Sequence, residues 1–226
     1  MNSDKHRPIG VRGNALIYIL LALALLAGLT MVLSRGASTG GDDLAADQAE
    51  LATTRMVAYA GSAKSAVDQM LMSGSQLSDL VLLRPNQVGF DAGSNIHKIY
   101  HPAGGGLAYK EPTSDIFVIA AGPPASGWYF TGETNVEWTP STAADLIFVA
   151  YRIHMSVCEN INRKITGSAN VPALTVMDGL FLPTLDGGWG GTLDTAACAE
   201  CEGYPSLCVA NNAETDYIYY NIIEAQ

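Results

Sequence analysis

Cys158, Cys198, Cys201 and Cys208 are the only thiols of the chain, and thiols can pair, ligate a metal or exchange electrons. An even number of cysteines in an exported chain, which the N-terminal sequence predicts, argues for disulfides. Three pairings are open. The favoured one joins Cys201 to Cys208 around Gly203-Tyr-Pro-Ser206 and Cys158 to Cys198. Each closed loop restricts the unfolded chain and adds about 2–4 kcal/mol. Cys198-Ala-Glu-Cys201 has redox spacing, but a redox site needs a strand before it and a helix after it. Its flanks, Gly190-Gly-Thr-Leu-Asp-Thr195 and Gly203-Tyr-Pro-Ser206, suit loop instead. A four-thiolate zinc site is the other alternative, and exported domains rarely use one.

Other polar groups offer less. His97 and His101 flank Lys98-Ile-Tyr100; on a strand such residues share a face about 13 Å apart, too far to share a metal. His154 sits among Ile153, Met155 and Val157, the setting of a core or surface histidine rather than a base. No Ser–His–Asp set can be assembled. Gly104-Gly-Gly106 lacks the strand–loop–helix context of a phosphate cradle. No enzyme activity, metal or cofactor is therefore expected. Trp128, Trp138 and Trp189 are the candidate ligand contacts, Trp189 at the tip of Asp186-Gly-Gly-Trp-Gly-Gly191.

Several elements must position these groups. Ala45, Ala49, Ala52, Met56, Ala60, Ala63, Val67, Met70, Gly74, Leu77 and Val81 recur in steps of 3 or 4, which predicts an amphipathic helix over 43–82 with a face of small residues. Asp42 or Asp43 can cap it, and Ser73-Gly-Ser75 ends or kinks it. Short branched and aromatic runs at 97–100, 115–121, 145–150 and 216–223 read as strands. Residues 128–138 read as a hairpin with Trp128 and Trp138 on its arms. Val157, Ile161 and Ile165 predict a short helix within 151–165, and residues 166–214 read mostly as loop.

Asn14 to Leu33 is a run of 20 uncharged residues, which as a helix rises about 30 Å, the thickness of a bilayer's hydrocarbon. It predicts a transmembrane helix over 14–34 that contacts membrane lipid, after a basic leader at 1–13 and before a flexible break at 35–42. Lys5, Arg7 and Arg12 precede the run, and Asp42 and Asp43 follow it. The positive-inside tendency then leaves the N-terminus cytoplasmic and exports an α+β head over 83–226. Residues 1–35 carry a net charge of +3 and residues 36–226 one of −13. An acidic head repels phosphate backbones, so nucleic acid is not an expected partner.

Arg12-Gly13, followed at once by Asn14-Ala-Leu-Ile-Tyr18, resembles the prepilin-type N-terminus of type IV pilins and type II secretion pseudopilins. Asn14 stands where the family usually has Phe or Met, and Tyr18 where it usually has Glu. The resemblance implies cleavage between Gly13 and Asn14 by a prepilin peptidase, and packing of the freed helix against other pilin-like subunits or copies of itself. It also implies a pilin-like α+β fold: a transmembrane helix continued by a long amphipathic helix packed on a small, mainly antiparallel sheet. The expected function is that of a membrane-anchored minor pilin or pseudopilin-like structural subunit of an envelope filament or secretion system. Such a subunit is a single-pass protein of the bacterial inner membrane, its head periplasmic or extracellular. The alternative is a single-pass binding protein, for a glycan or protein ligand, that forms no filament.

Overall fold

The structure is a computed structural model that describes residues 14–120, 124–175, 180–181, 191–211 and 213–226. Two units divide the chain, Met1–Ala46 and Asp47–Gln226. Two α-helices are found among the described residues, α1 over Asn14–Met72 and α2 over Met155–Thr166. Strands β1 (Gly127–Val136), β2 (Asp145–Ile153), β3 (Gly191–Leu193), β4 (Ser206–Ala210) and β5 (Tyr217–Glu224) form one sheet.

The sheet runs in the order β3-β1-β2-β5-β4. β1 pairs antiparallel with β2, β2 with β5 and β5 with β4, while β3 lies parallel to β1. Side chains alternate between its faces, as a pleated strand requires. Trp128, Phe130, Phe148, Ala150, Tyr219 and Cys208 enter one core, whereas Tyr129, Ile147, Val149, Tyr220, Leu207 and Val209 enter the other. Because both faces are covered, Leu146-Ile-Phe-Val-Ala-Tyr151 is an unbroken apolar run. A bulge between Tyr151 and Ile153 breaks the alternation. Arg152 takes a left-handed φ of 61° there, and the extra residue returns Ile153 to the face of Trp128.

These findings correct the expected fold class and location. Among the described residues, no helix is long and apolar enough to cross a membrane. The single-pass inner-membrane protein, with a span at 14–34 and an exported head, is withdrawn on that finding. The membrane reading rested on the length of the uncharged run 14–33 and on the charges that flank it. α1 does not stop where that run ends: it continues without a break through Ser34, Arg35, Asp42 and Asp43, so its 59 residues are not a delimited apolar span. The flexible break expected at 35–42 is helix. The sheet also differs from the expected small pilin sheet, being five-stranded and mixed.

Within Asp47–Gln226, the stripe positions Ala49, Ala52, Met56, Ala60, Ala63, Val67 and Met70 are each less than a tenth exposed. α1 ends at Met72, short of the expected 82, where Gly74 takes a φ of +97°. Leu77 then falls in a 3-10 turn, and Val81 makes an isolated bridge to Lys98. The runs at 97–100 and 115–121 contribute isolated bridges at Lys98 and Phe117 instead of strands. Residues 127–136 form one bulged strand rather than a hairpin, and the turn comes later, between β1 and β2.

Candidate functional site

Tyr59, reaching from α1, meets an aromatic layer on the sheet. Its ring centroid lies 4.9 Å from that of Trp128 and 5.7 Å from that of Phe148, both edge-on. Phe117 stands edge-on to Trp128 at 4.8 Å, and Phe148 stacks on it at 5.6 Å. Trp128 is therefore only 2% exposed, with its ring surrounded by other aromatics. Its Nε1–H is buried and has no hydrogen-bond partner. Tyr59 donates its hydroxyl hydrogen to the Ala108 carbonyl at 3.0 Å. Burial pushes the Tyr59 hydroxyl pKa up to about 12 and raises that of Tyr100 as well.

A cleft of about 400 Å³ borders this layer, with Arg55, Lys110, Asp115 and Trp128 among its lining residues. Arg55 and Asp115 form an exposed ion pair at 3.0 Å. The Thr113 hydroxyl, with help from Arg55, holds the Asp115 carboxyl below the usual carboxylate range. Lys110 Nζ sits 4.8 Å from the Tyr59 ring centroid. Fixed cations and carboxylates beside a buried indole N–H can bind a polar ligand, but they include no nucleophile with a base.

All four cysteines are paired, in a different pattern from the favoured one. Cys158 of α2 joins Cys208 of β4, and Cys198 joins Cys201. Strand alternation explains the difference: Cys208 points to the helix side of the sheet with Cys158, while Cys198 and Cys201 lie in the opposite core. A bond between Cys201 and Cys208 would have to cross the sheet. Asn162 reinforces the α2–β4 link. It is fully buried, accepts the Cys208 N–H at 2.8 Å and donates to the carbonyls of Cys208 and Asn170.

The tryptophans do not converge. Trp138 is part-exposed and donates from Nε1 to the Tyr204 carbonyl at 3.3 Å. Trp189 lies outside the described residues, as do the leader and Gly13; Asn14 is the first residue of α1. No group of three or more potential metal ligands occurs among the described residues. The histidines are spread out, His97 on the Ser75 hydroxyl at 3.1 Å and His154 on the Ser114 carbonyl at 3.0 Å. Gly104 and Gly105 have a steric role: a Cβ on either would strike the backbone of Lys98 or Ile99.

Sequence reasoning missed Arg55, Arg84, Lys110 and Asn162. The first three are isolated basic residues in an acidic stretch of chain, a faint signal for fixed cations. Asn162 left a clearer trace, as a polar residue one position after Ile161 on the buried side of α2.

The remaining candidate surface is on α1. In Met1–Ala46, Ile19, Leu20, Leu23, Leu25 and Leu26 are each 58–66% exposed. Compared with known proteins, the chain matches no family model, no curated sequence and no solved structure.

Proposed function

We propose that this chain is a minor-pilin-like or pseudopilin-like structural subunit that assembles with copies of itself or with similar subunits. The observation that carries the reading is the set of exposed Ile19, Leu20, Leu23, Leu25 and Leu26 on α1. Exposed apolar side chains in this number need a cover, and helix-on-helix packing between subunits supplies one. Arg12-Gly13-Asn14 at the start of the run adds the prepilin-type signature. The head, cross-linked by two disulfides and holding no nucleophile–base pair among its described residues, suits a structural role. The reading rests on assembly and includes no membrane span.

Sedimentation of the full chain tests it against a Leu20→Asp/Leu23→Asp double variant. The unaltered chain should form higher-order species, and the variant should need about tenfold more protein to do so. Near-ultraviolet circular dichroism should show the same head in both. A chain that stays monomeric at every concentration, or a variant that assembles equally well, overturns the proposal.

A second reading, a binding protein for a protein ligand, is favoured by the clefts around Arg55 and Arg84. Glycan stacking on Trp128 has little support, because the aromatic neighbours of its ring leave it 2% exposed.

A further inference from the structure

Trp138 differs from Trp128 in what surrounds its ring. Three aromatic rings pack around Trp128; among the described residues, none pairs with Trp138. Trp138 lies just beyond β1 and is only part-buried. Its Nε1–H donates to the Tyr204 carbonyl at 3.3 Å, and the Tyr220 hydroxyl donates to the same oxygen at 3.2 Å. That bond holds the indole in place. With its N–H satisfied, the side chain has only its ring to offer a ligand.

A cleft of about 500 Å³ opens beside Trp138, where the ends of β1 and β5 meet α1 and the turn before β4. Its size is that of a small-molecule site. Pro140 and Pro205 line it and fix the backbone of its walls. Its charged groups are Lys64 of α1 and Glu224 at the end of β5. Lys64 is already engaged: its Nζ donates to the Ile223 carbonyl at 2.6 Å and pairs with Asp68 at 3.3 Å. Glu224 is half-buried, and its carboxylate can accept hydrogen bonds. One charge of each sign leaves the lining neutral, which suits an uncharged ligand.

We infer that this cleft binds a pyranose sugar with equatorial hydroxyls, its C–H face on the Trp138 ring and its hydroxyls donating to the Glu224 carboxylate. Such a sugar is uncharged, apolar on the faces of its ring and rich in donors around its rim. The indole takes the apolar face, and a carboxylate makes the stronger, charge-assisted kind of bond with the rim. A proline-rich peptide fits less well. It docks in grooves lined by several aromatic rings, and a proline has no N–H to give Glu224. The sugar site goes beyond the assembly reading and is tested apart from it.

The test is saturation-transfer NMR on the full chain with three probes: cellobiose, sorbitol and a hexaproline peptide. Cellobiose should bind saturably, with transfer strongest to the axial hydrogens on one face of a ring. Sorbitol, which carries the hydroxyls without the ring, should bind about tenfold or more weakly. Trp138→Ala should weaken cellobiose by a similar factor, and Glu224→Ala should weaken it about threefold or more. Near-ultraviolet circular dichroism shows whether each variant keeps the fold. No saturable binding of cellobiose, equal binding of sorbitol, or unchanged affinity in either variant overturns the proposal. Tighter binding of hexaproline than of cellobiose overturns it in favour of a peptide. Should Trp138→Ala fail to fold, the comparison of cellobiose with sorbitol on the unaltered chain still decides.

Discussion

The two faces of the sheet are covered in different ways. On one face, Trp128, Phe130, Phe148 and Tyr219 share a core with Met56, Tyr59 and Val67 of α1 and Val157 and Ile161 of α2. On the other, Tyr129, Ile147, Val149 and Tyr220 are covered by Leu174, Leu180, Phe181, Leu193 and the Cys198–Cys201 turn. Each face holds one disulfide, and the bonds differ as the faces do. Cys158–Cys208 spans 50 residues of sequence and ties a helix to a strand; Cys198–Cys201 spans 3 and closes a single turn. The disulfide of the helix-covered face thus ties distant segments together, whereas that of the other face closes only its own turn.

Substitutions can break this contrast. Phe148→Ala removes the ring that meets both Tyr59 and Trp128, and should cost about 3–5 kcal/mol in urea unfolding. Ile147→Val, one residue away on the other face, should cost about 1 kcal/mol. A loss below about 1 kcal/mol for Phe148→Ala would show that the aromatic layer is not a packed core.

The disulfides sharpen the same point. In the loop-entropy account, replacing Cys158 and Cys208 together by Ser should cost about 4 kcal/mol, and replacing Cys198 and Cys201 about 2 kcal/mol. Denaturant midpoints of the two double variants give the order directly, and a reversed order would refute it. Asn162→Ala leaves the disulfide intact but strips two carbonyls and one N–H of their buried partner. A loss of about 2–3 kcal/mol is expected; a change below about 0.5 kcal/mol would mean that the disulfide alone fastens α2 to β4.

A further effect is with pH. Tyr59 titrates near 10 when unfolded, and burial raises it to about 12 in the fold. A raised pKa favours the protonated form, so its stabilisation is fully present below pH 10. It is lost as pH climbs from 10 toward 12. Tyr59→Phe should flatten that decline in a thermal-melt series, and an unchanged slope would assign it to other tyrosines.

Legibility in the sequence followed the same division. Helical periodicity marked the buried stripe from Ala49 to Met70, because one face of α1 is buried and the other is wet. The runs 145–150 and 216–223 read as strands for the same kind of reason, a simple pattern of burial. The rest depended on distant contacts. The partner of Cys158 could not be read because it depends on which way Cys208 points from β4. The end of α1 at Met72 was overrun because Leu77 and Val81 keep the helical spacing while packing from a turn and a bridge. The length and flanks of 14–33 fit a delimited span, and nothing in that stretch shows that the helix runs on through charged residues. Arg84 left only the faint trace of an isolated basic residue, since its place over the Tyr129 ring is a property of the folded neighbourhood.

In the proposed assembly, α1 packs against other subunits as the helix of a pilin-like protein. The intact mass of the mature protein, taken from the cells that make it, separates this proposal from its rivals. A pilin-like subunit begins at Asn14, cut after Gly13; a mature chain that still begins at Met1 rules the proposal out.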